Sequence, residues 1–199
     1  MGFDYGLERK YLPYISSMLQ QQRQVELIVR SLPALTLLNE VRQGKIDVTF
    51  LHPTVEMHGV AYKILGHSPL IAAMHQDHPL AQRERLSAKA LATEQIVTPS
   101  EHFGPTLYQA SVDFGRHNGI NFNISYQAET LTMAIALMQS MKHVCLLPQY
   151  SQHQFPENIK IVQLEENVPE IPYAMVWHPD NPAEAIPNML ATFNTNNHS

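Results

Sequence analysis

The sequence predicts an α/β protein with two lobes, each built on a parallel sheet covered by helices. Its 199 residues, 44% of them hydrophobic, are enough for two lobes of about a hundred residues with buried cores. Strand and helix patterns alternate along the chain, which is typical of parallel sheets with helical connections. No Gly/Ser-rich or Pro-rich linker separates the two halves, so strands are expected to cross between the lobes.

The first half is predicted to run strand, helix, strand, helix, strand. Apolar residues recur at helical spacing between the β-rich runs, and Gly44 ends the second helix. The predicted strands are residues 2–5, 25–29 and 46–51, and the helical faces are Leu12, Ile15 and Leu19, then Leu35, Leu38 and Val41.

The second half repeats this alternation. It begins with residues 64–74, where turn residues 66–69 separate two extended runs. Further strands are predicted at residues 96–97, 122–126, 143–147 and 173–177, and helices at residues 106–117, 131–141 and 186–193. We expect residues 69–74 and 165–173 to be the crossing strands. This gives one lobe of residues 1–73 plus 170–199 and a second of residues 74–169.

Composition excludes several classes of function. Thirteen Lys and Arg against eighteen Asp and Glu give a formal charge of −5 without a basic cluster for a phosphate backbone, so this chain is not expected to bind nucleic acid itself. No apolar run is long enough to span a membrane, and the start Met1-Gly2-Phe3 does not resemble a secretion signal. We therefore expect a cytoplasmic protein without a membrane partner. Cys145, the only cysteine, is expected to be a core residue.

Candidate ligand-binding residues lie after the predicted strands. Ligands of open parallel sheets bind beyond the carboxyl ends of the strands, where helix N-termini expose N–H groups and partial positive charge. Such a site suits a carboxylate or another anion, with hydroxyl groups for orientation and an aromatic wall. The residues selected in this way are Tyr5, Gly6, Leu7, Arg30, Ser31, Leu32, Ser100, Phe103, Pro105, Thr106, Gln127 and Thr130.

Several of these residues also have a purely structural interpretation. Ser31 or Thr130 is equally suited to cap its helix, and Gly104 to form a turn. Phe103 is equally suited to pack in the core. Arg30 could hold a ligand carboxylate with two hydrogen bonds, but pairing with a surface acid such as Glu26 is favoured.

Catalysis is the weaker alternative. His75, Asp77 and His78 have the spacing of metal ligands or proton carriers, but Pro79 favours a turn and no third ligand is distinguishable. The sequence has neither a glycine-rich phosphate loop nor a Gly-x-Ser-x-Gly nucleophile motif. We therefore predict a binding protein rather than an enzyme, with no metal, cofactor or catalytic residue.

Four segments resemble one family of bacterial regulators. Residues 37–48, LLNEVRQGKIDV, resemble the "leucine-x-x-G-x-(L/I)-D-(L/V)" passage of LysR-type transcriptional regulators. Residues 69–74 and 77–81 look like the hinge strand and the "HPLA" turn of that family. Residues 144–148, VCLLP, resemble its penultimate strand.

The resemblance implies a type 2 periplasmic-binding-protein-like fold, with two Rossmann-like lobes joined by crossing hinge strands and a cleft for a small effector. It also implies a homodimer or tetramer, and DNA binding through an N-terminal winged helix-turn-helix absent from this chain. By family position the effector contacts would be residues 5–7, 30–32, 100–106 and 127–130, which are the strand ends already selected. The effector is expected to be a small organic acid, aromatic acids included, which switches the DNA-bound state of the dimer. A stand-alone solute-binding protein of the same fold is the alternative.

Overall fold

The computed structural model describes residues 1–19, 26–141 and 143–195. Two compact units are present: unit 1 comprises Met1–Gly66 and Pro172–Ser199, and unit 2 comprises His67–Ile171. The chain passes from one unit to the other twice, within the strands β4 (Ala61–His75) and β10 (Glu170–Trp177).

Unit 1 is built around short parallel strands. β1 (Gly2–Phe3) pairs in parallel with β2 (Arg30–Ser31) on one side and β3 (Val48–Leu51) on the other, as the strand–helix alternation predicts. β10 adds an antiparallel strand to β3. The helices of this unit are α1 (Leu7–Leu19), α2 (Ala34–Arg42) and α5 (Ala185–Thr195).

The second strand differs from its prediction. Residues 26–29 lie outside any strand, Val25 falls outside the described residues, and β2 is confined to Arg30–Ser31. The physical reason is the length of the pairing strand. β1 has only two residues, Gly2 and Phe3, and they pair with Arg30 and Ser31, so β2 has only these two residues. The β-branched run before it has no strand to pair with among the described residues.

Unit 2 has a mixed sheet. β6 (Gln95–Pro99) pairs in parallel with β7 (Asn123–Ala128) and with β8 (Val144–Pro148). β4 runs antiparallel to β8 and to β9 (Ile159–Leu164), and the short β5 (Arg85–Leu86) is parallel to β9. The helices are α3 (Pro105–His117), α4 (Leu131–Met141) and two 3₁₀ segments, Ala88–Leu91 and Gln149–Gln154.

The predicted break at residues 66–69 is wrong, because β4 is one continuous strand of 15 residues. Glycine at position 66 serves close packing instead: a Cβ there would overlap the Tyr173 ring and hydroxyl. The strand continues past Pro69, with the Leu70 N–H donating to the Pro169 carbonyl oxygen at 3.1 Å. β5, β9 and the 3₁₀ segments were not predicted.

Each unit has its own buried core. In unit 1 one apolar cluster joins α2 to β3 and β10, and Phe50 of β3 lies in a second, aromatic group. In unit 2 the strands β6 and β8 and the central part of β4 are buried along almost their whole length, as expected of central strands. These cores fix the strand ends on which the candidate site depends.

Candidate functional site

In unit 2 the structure brings two of the predicted site segments together. They follow β6 and β7, which are parallel neighbours, so their carboxyl ends lie at the same edge of the sheet. The Ser100 N–H donates to the Ala128 carbonyl oxygen at 2.8 Å, and the Glu101 N–H donates to Gln127 Oε1 at 3.0 Å. The two loops therefore form one hydrogen-bonded surface at the beginning of α3 and α4.

Ser100 organises the first of these loops. Its buried hydroxyl oxygen accepts from the Phe103 N–H at 3.3 Å, and its carbonyl oxygen accepts from the Gly104 N–H at 2.8 Å. Gly104 is the N-cap of α3, and Pro105 and Thr106 open the helix. A hydroxyl group that accepts one hydrogen bond still has a proton to donate, so Ser100 is suited to orient an acceptor.

Phe103 lies in the same loop and is half-buried, with its ring edge-on to His102 at 5.7 Å. It is therefore not a core residue, and part of its ring faces solvent.

Thr130 is the N-cap side chain of α4. Its Oγ1 accepts from the Met133 N–H at 3.2 Å, so the capping interpretation is correct for this residue. The Thr130 side chain is also exposed. Ser31 has no such role, because Pro33 is the N-cap of α2 and makes no side-chain cap.

In unit 1 the first predicted segment forms a tight turn between β1 and α1. Tyr5 has a φ of 31° and Gly6 a φ of 85°, both in the left-handed region. That conformation is costly for a tyrosine, and such strain persists only where the surroundings enforce it. Tyr5 is buried, and Leu7 is completely buried as the first residue of α1, so Leu7 belongs to the core.

The second predicted segment of unit 1 is mostly a surface feature. Arg30 and Ser31 are exposed, and Arg30 Nη1 pairs with Glu40 Oε2 at 3.3 Å rather than with Glu26. Leu32 is half-buried and packs against the apolar cluster of α2. A surface pair of this kind contributes little to stability, about 0–1 kcal/mol.

A buried polar pair that the sequence does not predict lies at the strand ends of unit 1. Asp4 follows β1, His52 follows β3, and each side chain is 1% exposed. His52 Nδ1 and Asp4 Oδ2 are 2.9 Å apart, and the backbone N–H of His52 donates to the same oxygen at 3.4 Å. The signal was available, because His52 directly follows the predicted strand at residues 46–51.

The histidine-rich turn after β4 is structural. His75 Nδ1 lies 3.4 Å from Asp77 Oδ2, whereas His78 points to Glu94, with Nε2 and Oε2 3.4 Å apart. Within residues 1–19, 26–141 and 143–195, no group of three or more His, Cys, Asp or Glu side chains is arranged to hold a metal ion. The side chains of His75 and Asp77 lie together and that of His78 lies against Glu94, so the three side chains do not form one cluster.

Two further side chains have environments that suppress reactivity. Cys145 is completely buried in β8, and burial raises the pKa of its thiol far above the ordinary range, so it stays protonated. Burial and the neighbouring Tyr173 raise the pKa of the Tyr11 hydroxyl.

Among the described helices, none is long and apolar enough to cross a membrane.

Comparison with known proteins defines the class of this protein. The family model described as the LysR substrate binding domain matches residues 4–195. AlsR, an HTH-type transcriptional regulator of Bacillus subtilis (strain 168), is 22% identical over 182 residues, or 91% of this chain and 60% of AlsR. CatR, an HTH-type transcriptional regulator of Pseudomonas putida, is 27% identical over 82% of this chain and 56% of CatR. The chain thus spans less than two thirds of these curated relatives.

Solved structures agree on the fold. The BenM effector binding domain with its effector benzoate superposes with a TM-score of 0.81 at 18% identity, over 98% of this chain and 89% of that one. The reduced form of OxyR gives a TM-score of 0.76 at 21% identity, over 96% and 91% of the two chains. These are effector-binding or regulatory domains with the type 2 periplasmic-binding-protein-like fold, so that fold prediction is confirmed.

The chain belongs to the LysR substrate-binding-domain family. Its curated relatives are transcriptional regulators, and the family is not one of enzymes.

Proposed function

We propose that this chain is the sensing part of a LysR-type transcriptional regulator and that it binds a small organic acid, aromatic acids included. Binding would change the DNA-bound state of a dimeric or tetrameric regulator through a helix-turn-helix outside this chain. A ligand shifts such an equilibrium only by binding one state more tightly than the other. The full-length AlsR and CatR are HTH-type regulators, and BenM binds benzoate, which supports the proposal.

One observation supports an acid as the ligand. In unit 2, α3 and α4 begin side by side at the carboxyl ends of the parallel strands β6 and β7. Each helix N-terminus has a partial positive charge of about half a unit, so both favour an anion in front of them. Ser100 and Gln127 supply polar groups at that edge, and Phe103 supplies a partly exposed ring for the apolar body of the ligand.

A thermal-shift screen against organic acids, amino acids and nucleotides tests the proposal. A ligand present at about a hundred times its Kd stabilises the folded state by about 2.7 kcal/mol, which raises the Tm of a domain of this size by about 5 °C or more. We expect such a shift from at least one acid. The proposal fails if no compound in the panel raises the Tm.

The Ser100→Ala variant then locates the site. It removes the hydroxyl proton that we assign to the ligand carboxylate, and we expect about a tenfold loss of affinity by calorimetric titration. Thr93→Ala is the matched control, because Thr93 is an exposed residue that precedes β6 in the same unit. Equal affinities of the two variants would place the carboxylate elsewhere.

A further inference from the structure

Unit 2 has a polar cluster at the edge of its sheet opposite the proposed acid site. β6 and β8 are parallel, with Ile96 opposite Val144, so Glu94 and His143, which lie just before these strands, share that edge. β4 runs antiparallel to β8, so the turn after β4, which contains His78, reaches the same edge. We call the side chains of His78, Glu94 and His143 the amino-end cluster. It lies entirely within unit 2 and contains none of the residues assigned to the acid site.

The ring of His78 links the turn after β4 to the residue before β6. The Leu80 N–H donates to His78 Nδ1 at 3.2 Å, so the neutral ring has its proton on Nε2, which lies 3.4 Å from Glu94 Oε2. The backbone of the turn is fixed as well, because the Ala81 N–H donates to the His78 carbonyl oxygen at 2.9 Å. The His78 side chain is 5% exposed and that of Glu94 is 28% exposed, so this contact is largely shielded from water.

The ring of His143 is buried with one nitrogen unsatisfied. The residue is 8% exposed, and its Nε2 is buried without a hydrogen-bond partner. The ring lies against that of Tyr126 in β7, with centroids 5.4 Å apart. Since each nitrogen of a neutral imidazole is either a donor or an acceptor, Nε2 lacks a partner in both tautomers. A leucine of similar volume would avoid this cost, so the histidine indicates a role other than stability.

Acid makes the amino-end cluster harder to keep closed. A protonated imidazole has two N–H donors instead of one, so protonation adds to what His143 lacks. Burial lowers the pKa of His78 most, Glu94 raises it, and the charge of His143 lowers it again, so the two rings are close enough to repel each other when charged. Glu94 can balance one positive charge but not two. His75 and Asp77, in the same turn, lie 3.4 Å from each other.

We propose that the amino-end cluster is a pH-sensitive switch, closed while its two rings are neutral and opened in mild acid, and that His143 makes it responsive. In the open form the turn of residues 76–83 separates from the amino ends of β6 and β8. This inference goes beyond the proposed function and requires no ligand, so it stands or falls separately from acid sensing.

The direction of the response follows from where the protons bind. In the open form each ring is in water and has the ordinary pKa of about 6.5, whereas the closed form resists protonation. Above that pH both forms are neutral and the closed form is favoured. Each proton that only the open form binds increases the open population about tenfold per pH unit below 6.5. Two rings together give about ten- to a hundredfold at about pH 5.5.

Hydrogen–deuterium exchange of the 199-residue chain at about pH 7.5 and about pH 5.5 measures the opening. Each observed rate is divided by the intrinsic rate at that pH, which leaves the protection of the structure. We expect residues 76–83 and 143–145 to lose about ten- to a hundredfold of their protection in acid. The helix α2 in unit 1, Ala34–Arg42, is the internal reference and should keep its protection.

The His143→Leu variant tests the role assigned to His143. It removes the unsatisfied nitrogen and one of the two protons at nearly constant volume, so the loss of protection in acid should shrink by about tenfold. The Tm at about pH 7.5 should not fall, because no hydrogen bond of Nε2 is lost. His117→Leu is the matched control, at an exposed histidine of the same unit, and should keep the full acid response.

The Glu94→Gln variant should act in the opposite direction. It removes the charge that favours a protonated His78 in the closed form, so the closed form resists protons more strongly. The loss of protection in residues 76–83 should then begin at a higher pH than in the unmodified chain. A contact that only holds the fold together would be weakened equally at both pH values by this change.

Four results would overturn the switch. They are equal protection of residues 76–83 at both pH values in the unmodified chain, a full acid response in His143→Leu, a Tm of that variant lower by about 4 °C or more at pH 7.5, and an opening of Glu94→Gln at lower pH. The first and last of these measurements do not depend on the folding of His143→Leu.

Discussion

Phe50 is the residue that joins the secondary structure of unit 1. Its ring stacks on Phe3 of β1 with centroids 5.2 Å apart and on Tyr11 of α1 at 4.9 Å. Phe193 of α5 meets it edge-on at 5.9 Å. The Phe50 ring is completely buried and contacts three other elements. Because the interior is closely packed, its neighbours could fill the space it occupies only by moving.

Truncation of this ring should therefore destabilise the protein strongly. We expect Phe50→Ala to lower the free energy of unfolding by about 3–5 kcal/mol, through lost apolar burial and the cavity left behind. Urea unfolding followed by far-UV circular dichroism measures the change. Tyr62→Ala is the control, because Tyr62 is 49% exposed and its loss should cost about 0.5 kcal/mol or less. Similar losses in both variants would show that the aromatic group does not hold unit 1 together.

His78 makes the stability of unit 2 sensitive to acid. Its Nδ1 accepts from the Leu80 N–H at 3.2 Å, which leaves Nε2 as the protonated nitrogen of the neutral ring, directed at Glu94. Burial lowers the pKa of His78, Glu94 opposes this effect, and His143 adds to it. The folded protein therefore takes up a proton at this site less readily than the unfolded chain does.

The sign of the pH effect follows from that difference. Above the unfolded pKa of about 6.5 the ring is neutral in both states, and stability is highest. As the pH falls below this value the unfolded chain binds the proton first, so stability decreases by at most about 1.4 kcal/mol per pH unit for one group. Denaturation series at about pH 7.5 and about pH 5.5 should show a smaller loss in His78→Gln than in the unmodified protein. His117→Gln, at an exposed histidine, should keep the full loss.

Among the secondary-structure elements, the helices are the most predictable part of this fold. α4 runs from Leu131 to Met141 as predicted, and α3 differs from its prediction by one residue. Helical periodicity is a local property, because residues three and four apart on one face are read directly from the sequence.

Strand positions depend on partners that are distant in sequence. β4 is continuous because its residues pair with β8 and β9, with Leu70 opposite Pro148 and Ile71 opposite Gln163. Its internal Gly66 and Pro69 were interpreted as turn residues on local grounds. The same limit applies to the site: Asp4 and His52 are 48 residues apart, and only the pairing of β1 with β3 brings them together.

The side chain of Arg42 links the segment between β3 and β4 to α2 by hydrogen bonds. Arg42 Nε donates to the His58 carbonyl oxygen at 3.1 Å, Nη2 donates to that of Glu56, and Nη1 donates to Asn39 Oδ1 at 2.9 Å. A guanidinium group presents several donors in a rigid fork, so one arginine fixes two successive parts of the segment.

Removal of this fork should loosen residues 53–60 more than the rest of unit 1. We expect Arg42→Met to lower the free energy of unfolding by about 1–2 kcal/mol and to speed amide exchange in that segment, measured by hydrogen–deuterium exchange. Arg42→Lys should not restore protection, because a single ammonium cannot reach the same set of acceptors. Unchanged exchange in both variants would show that apolar packing of Met57 and Val60 alone holds the segment.

The two units differ in the polar groups at their strand ends. The strand ends of unit 2 lie beside two helix N-termini and polar groups suited to an anion. In unit 1 the acid that follows β1, Asp4, is buried, with its Oδ2 2.9 Å from Nδ1 of His52.

The net charge bears on whether this chain itself binds DNA. A formal charge of −5 means that the chain gains little from the release of counterions, which supplies most non-specific DNA affinity. We therefore expect the 199-residue chain to bind duplex DNA more weakly than about 0.1 mM at physiological salt, with or without an acid that raises its Tm. Fluorescence anisotropy with a labelled duplex measures this affinity. The same measurement on a full-length regulator of this family is the positive control. Tight binding by the isolated chain would contradict the proposal that DNA contact belongs to the helix-turn-helix, and would mean that part of this acidic surface faces the duplex.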